Sequence, residues 1–418
     1  MNLELVIIGT ELLLGFTVDT NGGELGRTLA EAGIRVVRRT VIADRAADIR
    51  GAVSEGLART GAVIVTGGLG PTRDDITKET VAALYGTPIE FDEGLWQALV
   101  ERYRRVGREP VESNRTQAEV PRGATVLPNR WGSAPGLWLE RNDLGLVIML
   151  PGVPLELRML LQHEVMPRLT ARPTGRVIRS RMLRTCGIAE SVLAERLGEI
   201  ERDVAPLTLA YLPHVAGVDV RLTAWDADAE EADGLLEHAA ATIRDRAGGH
   251  VYGEDDADLA ALVLEMARQQ GVRLAVAESC TGGLIGARLT EIPGSSDVFD
   301  GGVIAYADEV KSGLLGVDAG LIGRHGAVSE EVAAAMAAGA CARLGAGLSV
   351  AVTGIAGPAG GTPEKPVGTV CFGTAMSGEV RAARTIFFGT RAEVRARAAQ
   401  WALWLLYGRL RESGPVRT

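Results

Sequence analysis

Three expected strands near the start of the chain, Leu3 to Ile8, Ile34 to Ile42 and Ala62 to Thr66, are separated by two stretches with helical spacing. Asp19 or Thr20 is placed to cap the first helix, which runs to about Ala32 before Gly33 stops it. The second runs from about Asp48 to Arg59, and Gly61 ends it. Strand, helix, strand, helix, strand in this order predicts a parallel sheet with helices on both faces. Open sheets of that kind bind ligands outside the carboxyl ends of their strands. The loops TELLLG (10–15) and GGLGPTRDD (67–75) therefore come first in a search for function.

The last third repeats this grammar. A strand at Val272 to Ala277 runs into ESCTGG (278–283), with a helix expected from about Thr281 to Leu289. A strand at Gly302 to Tyr306, a helix at Ser329 to Leu344 and a strand at Leu348 to Val352 follow, then TGIAGPAGG (353–361). Strands are expected at Val367 to Thr374 and Arg384 to Phe388, and a long helix from about Arg391. Between the two α/β parts, from about Pro173 to Gly253, the pattern is that of a small α+β module. Its strands fall at Val177 to Leu183 and Val218 to Ala224, its helices near Ala189 to Glu201 and Glu230 to Ala247. The expected architecture is two three-layer α/β domains, residues 1–170 and 254–418, joined by a connecting module at 171–253.

Composition narrows the function classes. A formal net charge of -9 over 418 residues argues against a protein that embraces nucleic acid over a broad surface. No apolar run reaches the length of a membrane span. The four scattered cysteines form no CxxC pair, which suits a reducing cytoplasm and gives no zinc site. His163-Glu164 starts like HExxH, but Pro167 occupies the last position.

The loops carry the candidate chemistry. In GGLGPTRDD the glycines Gly67, Gly68 and Gly70, with Thr72, can bring backbone N–H groups to an anion at a helix start. Asp74 and Asp75 make sense there as ligands of a divalent cation bridging to phosphate, or simply as acids at a helix N-terminus. Glu11 is near the same sheet edge, as metal ligand or as solvated loop residue. Asn114 in ESNR (112–115) suits ribose or base hydrogen bonding, or a helix cap. In the third part Ser279 follows a strand and precedes a helix, which fits a nucleophile facing helix N–H groups or a plain helix N-cap. Its neighbour Cys280 is a rival nucleophile or a buried packing residue. No histidine follows within 40 residues, so a base must come from elsewhere. Lys311, with Tyr306 to orient it, can serve or can be an ordinary surface lysine. Thr353 and the glycines after it can hold phosphate or oxyanion. Arg391 and Arg395, four apart, share a helix face.

These segments resemble a known family. AESCTGGLIGARLTEIPGSSDVFDGGVIAYADEVK (277–311), HGAVSEEVA (325–333) and AVTGIAGPAGGTPEKPVGTV (351–370) are similar to the CinA C-terminal family of nicotinamide-nucleotide amidohydrolases. GTELLLG (9–15), DTN (19–21), TGGLGPTRDDITKET (66–80), ESNRTQA (112–118), GSAPG (132–136) and LPGVP (150–154) resemble the N-terminal half of full-length CinA proteins, related to molybdopterin-binding domains of the MoeA and MogA kind.

The resemblance implies a cytoplasmic, homodimeric enzyme of pyridine-nucleotide salvage, linked by its family to competence. Ser279 is then the nucleophile and Lys311 its base. Tyr306 and Thr353 complete the catalytic set. Cys280, Thr281, Gly282, Gly354, Gly357 and a terminal arginine, Arg391 or Arg395, line the nicotinamide mononucleotide site without a cofactor. For the N-terminal half it implies hydrolysis of ADP-ribose to AMP and ribose 5-phosphate. Gly67, Gly68, Gly70, Thr72 and Asn114 would meet the substrate. Asp74, Asp75 and Glu11 would serve magnesium or a similar divalent cation, with or without potassium. The other readings are a non-catalytic pterin- or nucleotide-binding module, a competence-related scaffold, and a DNA-associated middle module. Where the family often has Ser-Asn, this chain has Ala307-Asp308, and a carboxylate beside Lys311 would oppose its use as a base.

Overall fold

The computed structural model describes residues 1–171, 177–215 and 217–414. The expected start of the middle module at Pro173 lies outside the described residues. The chain forms two compact units, Met1–Ser180 with Thr223–Leu235, and Arg181–Leu222 with Leu236–Thr418.

The first unit contains β1 (Asn2–Ile8), β2 (Arg35–Ile42), β3 (Ala62–Thr66), a short pair β4 (Ile89–Phe91) and β5 (Glu119–Pro121), then β6 (Thr125–Leu127), β7 (Gly136–Arg141) and β8 (Gly145–Leu150). One six-stranded sheet has the order β2-β1-β3-β8-β7-β6. The first four strands are mutually parallel, while β7 and β6 are antiparallel. Side chains along a strand alternate between faces, and both faces are covered. Leu3, Leu5, Ile7, Ile64 and Ile148 enter one core with Leu25 and Leu29 of the helix Asn21–Glu31. Val6, Ile8, Val63, Val65 and Val147 enter the other, with Ile49 and Val53 of the helix Ala46–Thr60. This is why Leu3 to Ile8, apart from Glu4, and Ala62 to Thr66 read as nearly continuous apolar stretches rather than alternating ones.

The middle segment supplies β9 (Val177–Thr185), β10 (Thr208–His214), β11 (Gly217–Ala227) and β12 (Val251–Glu254), in the order β10-β11-β9-β12. β10 and β12 were not expected. β10 carries a Pro-His end, and β12 is four residues of mixed burial, so neither shows a clean period.

The second unit is built on β13 (Leu274–Glu278), β14 (Phe299–Ile304), β15 (Leu348–Gly354), β16 (Thr369–Met376) and β17 (Glu379–Ile386), ordered β14-β13-β15-β16-β17. β14, β13 and β15 are parallel; β16 and β17 are antiparallel. Leu274 and Val276 face a leucine- and valine-rich core under the helices Leu259–Gln270 and Arg391–Ser413. Ala275 and Ala277 face an alanine-rich core that includes Ala305, Ala337, Ala340 and Ala351. On this second face backbones nearly touch. A Cβ on Gly339 would overlap the Leu315 carbonyl, and one on Gly373 would overlap the Ala333 carbonyl. The helices Asp308–Leu315 and Glu330–Leu344 are thereby seated at a fixed, short spacing.

Candidate functional site

In the second unit, β14 lies on one side of β13 and β15 on the other. The chain reverses course there, which is where open α/β sheets form a ligand crevice. Ser279 is the first residue beyond β13. Two backbone bonds fix its place: Ser279 N donates to Val352 O at 2.9 Å, and Ala305 N donates to Glu278 O at 2.7 Å. Three adjacent strand tips are tied at this point.

The expected helix from Thr281 begins later, at Leu284. Gly282 and Gly283 adopt φ of 60° and 98°, a left-handed turn that glycine enters without strain. Glu278 caps the delayed helix. Its buried carboxylate accepts from Gly283 N (2.9 Å), Ile285 N (3.2 Å) and Gly286 N (2.9 Å). Ser279 is therefore not the helix cap, and these N–H groups are spent on Glu278 rather than aimed at Ser279. Nothing among the described residues hydrogen-bonds the Ser279 hydroxyl, and the residue is 7 % exposed.

Lys311 is not on the surface: it is 1 % exposed. Its ammonium donates to Tyr306 O at 3.0 Å and to Asp308 Oδ1 at 3.1 Å, so Asp308 turns toward it. No hydrogen bond links Lys311 to Ser279. Tyr306 is exposed, and its hydroxyl accepts from Arg391 at 3.3 Å. Thr353 is buried and donates to Ala327 O at 2.9 Å, which spends its only proton on the HGAVS loop.

The last helix starts at Arg391 because Thr390 and Glu393 form a reciprocal capping box. This places both arginines at the site. Arg395 donates to Cys280 O (3.0 Å) and Thr281 O (2.8 Å), clamping the loop after Ser279. Gly282 packs against the same guanidinium. Arg391 donates to Gly357 O at 2.9 Å as well as to Tyr306. The Cys280 side chain belongs to the apolar core and lies against Gly354. Burial pushes its thiol up to about 12, against the pull of Arg395 and Arg391. Cys280 can meet a ligand only through its backbone. The Thr281 hydroxyl is fully buried and has no partner.

In the first unit the chain reverses between β1 and β3, which have β2 and β8 on their outer sides. Gly67 and Gly68 have φ of 102° and 67°. A Cβ on Gly67 would overlap Ile8 O, and one on Gly68 would overlap the Thr77 hydroxyl. Only glycine fits either position. Thr72 donates its N–H (2.8 Å) and its hydroxyl to Asp75, whose carboxylate is packed against Gly70. Thr72, Gly70 and Asp75 thus spend their contacts on folding the loop. Asp74 is exposed, and hydrogen bonding within the loop holds its carboxyl below the usual carboxylate range. Glu11 is exposed on the short helix Thr10–Leu13. Among the described residues no three His, Cys, Asp or Glu side chains gather closely enough to hold a metal ion by themselves. Asn114 is buried: its Oδ1 accepts from Val111 N at 2.9 Å, and its Nδ2 donates to Tyr103 and Gln117. It braces the start of the helix Glu112–Ala118 from the third position, with Val111 at the N-cap.

Three residues escaped the sequence reading. Glu278 ends an apolar strand just before two glycines, the one local sign of a buried cap. Lys78 is buried and donates to Thr116 O and Glu119 O, and burial lowers its ammonium from the ordinary lysine value. Its only sign was its place within the Asp-Asp-Ile-Thr-Lys run. Glu156, half buried on the helix Pro154–Leu160, carried no sign at all.

Residues 256–410 match the CinA C-terminal domain, residues 4–171 the probable molybdopterin binding domain, and residues 180–253 the damage-inducible protein CinA KH domain. The chain is 54 % identical over 406 residues to a CinA-like protein of Gemmatimonas aurantiaca, covering 96 % of this chain and 95 % of that one. It is 47 % identical over 371 residues to a CinA-like protein of Parasynechococcus marenigrum, covering 88 % of each. The crystal structure of competence/damage inducible protein CihA from Agrobacterium tumefaciens is 42 % identical, with a TM-score of 0.35, and covers 37 % of this chain and 93 % of that one. No helix among the described residues is long and apolar enough to cross a membrane. With all three segments of the chain matched in order and relatives similar along nearly its whole length, the chain belongs to the CinA family.

Proposed function

We propose that the second unit deamidates nicotinamide mononucleotide to nicotinate mononucleotide and ammonia. The observation that carries this is Ser279, with an unspent hydroxyl at the tip of the switch-point strand, in a loop clamped by Arg395, while Lys311, Tyr306 and Arg391 are linked to one another by hydrogen bonds. Ser279 Oγ attacks the carboxamide carbon and Lys311 takes its proton. Ammonia leaves, and water hydrolyses the acyl-enzyme. Backbone N–H groups of the loop clamped by Arg395 face the oxyanion, and the exposed Arg391 takes the phosphate. Catalytic hydrogen bonds are commonly long before substrate binds, so the missing Ser279–Lys311 bond is compatible with these roles. The test is product identification by mass spectrometry on the full chain. Nicotinate mononucleotide and ammonia in equal amounts are expected; ribose 5-phosphate and free nicotinamide instead would sink the assignment.

One substitution sharpens it. Cys280→Ala is expected to stay within a few-fold of wild type, since a thiol protonated to about pH 12 cannot compete as nucleophile. Loss of all activity would reopen Cys280.

For the first unit we propose hydrolysis of ADP-ribose to AMP and ribose 5-phosphate. Magnesium is usually held by one or two carboxylates and the substrate's own phosphates, which suits exposed Asp74 and Glu11 better than the engaged Asp75. The cation, when bound, neutralises charge on the diphosphate. Gly67 and Gly68 give the loop the left-handed turn with which it leaves the strand end. If no AMP forms with any divalent cation, a nucleotide- or pterin-binding module is the better reading. The middle segment has no Gly-x-x-Gly between residues 180 and 253, the loop by which KH domains clamp a nucleic-acid backbone. Small nucleotides are accordingly the ligands we assign, to a cytoplasmic homodimer.

A further inference from the structure

β7 runs antiparallel to β8, so the loop before β7 sits at the same sheet end as the Gly67 loop. Asn129 folds this loop. Its Oδ1 accepts from Trp131 N (2.9 Å) and Gly132 N (2.8 Å), and its Nδ2 donates to Ala134 O (2.8 Å). The same Nδ2 donates to Glu156 Oε2 at 2.6 Å. Glu156 stands on the first turn of the helix that follows β8, and a Cβ on Gly132 would overlap its carboxyl group. The turn leading to this helix abuts the glycine loop: a Cβ on Gly152 would lie 3.5 Å from Gly67 Cα, and Asn21 donates to Gly152 O at 2.7 Å. The helix that carries this carboxyl group therefore begins beside the Gly67 loop. One oxygen of the group is fixed by an amide, and the other has no donor among the described residues.

We propose that Glu156 is the proton acceptor of the first unit's reaction and that Asn129 is the residue that positions it. This rests on the diphosphate-hydrolysis reading above. A water oxygen bonds to one phosphorus of the substrate diphosphate, and the bridging P–O bond breaks. The water proton goes to Glu156, and the bridging oxygen departs on the other phosphate. A neutral proton relay of this kind needs a carboxyl that is ionised yet basic. Burial raises Glu156 above the ordinary carboxylate value, while the Asn129 bond and the charge of Arg102 pull it down. His163 is the nearby titratable ring, and it is stacked on Trp131 at 5.1 Å.

The experiment uses the full chain, ADP-ribose and magnesium. Glu156→Gln is expected to lower AMP formation by about 10²-fold or more, with ADP-ribose affinity by calorimetry and the melting temperature unchanged. The rate should fall with acid as Glu156 is protonated, in a limb above the usual carboxylate range. Asn129→Ala removes an influence that lowers the Glu156 value, so that limb must move to higher pH; His163→Gln must leave it in place. A Glu156→Gln protein that forms AMP within a few-fold of wild type overturns the assignment while leaving the hydrolase reading intact. If wild type forms no AMP, the hydrolase reading itself fails and takes Glu156 with it. Should Glu156→Gln not fold, an acid limb unmoved in Asn129→Ala is the overturning result.

Discussion

Ser279→Ala is expected to abolish ammonia release from nicotinamide mononucleotide, with a fall in kcat of about 10⁴-fold or more, as removal of a covalent nucleophile does elsewhere. Substrate affinity should hardly change. Ser279 is 7 % exposed, and no hydrogen bond to its hydroxyl is lost, so the variant should also melt as wild type does. These two unchanged quantities separate loss of chemistry from loss of fold. AMP formation by the first unit should persist in the same sample, which provides an internal control. Lys311→Ala is a poorer test, because it empties a buried site and leaves the Asp308 carboxylate and Tyr306 carbonyl without their donor. A Ser279→Ala protein that still releases ammonia at a measurable fraction of the wild-type rate would end the covalent mechanism.

Glu278→Ala carries the largest expected cost in stability. Three N–H groups at the start of the helix Leu284–Thr290 lose their acceptor, and the carboxylate that bonds them is 1 % exposed. Buried donors left unsatisfied cost about 1–3 kcal/mol each, and relaxation recovers part of that. A loss of about 3 kcal/mol or more is expected, which is a drop on the order of 6–12 °C for a unit of this size. Glu278→Gln should fall between, since its amide oxygen still accepts while its NH₂ meets the same donors. Differential scanning calorimetry of the full chain reads this directly. Because the cap also sets the turn after Ser279, deamidation should weaken before unfolding begins. A melting temperature within a degree of wild type would show that water replaces the carboxylate and that the cap is dispensable.

Much of the scaffold was legible because its strands are buried on both faces. Leu3 to Ile8, apolar but for the buried Glu4, and Ala62 to Thr66 read as strands for that reason. The edges were harder. β17 was expected at Arg384 to Phe388 and runs from Glu379 to Ile386, since it alternates charged and small residues and is mostly exposed. β14, the other edge, begins three residues earlier than its glycines suggested. At the site, the positions of Ser279, Tyr306, Lys311, Arg391 and Arg395 were available from motif and spacing. Their partners were not. That Lys311 is buried, that Arg395 clamps the loop after Ser279, and that Glu278 rather than Ser279 caps the helix depend on contacts between segments distant in sequence or on a turn only glycine can make. Asn114 and Thr72 illustrate the same limit: a polar residue in a promising loop can be wholly occupied in folding it.

The alanine-rich face of the second sheet has a consequence for how this protein can change over generations. On the opposite face, leucine, valine and methionine can trade places, because a core of large side chains tolerates swaps of similar volume. Beneath the helix Glu330–Leu344 there is no such latitude: Gly339 and Gly373 meet backbone carbonyls, and an added methyl has nowhere to go. Sequence drift should therefore be lopsided, permitted on one side of a single sheet and nearly frozen on the other. The frozen side seats the helix that carries Lys311, so the reach of that amine is inherited as a backbone spacing and not as a side-chain choice.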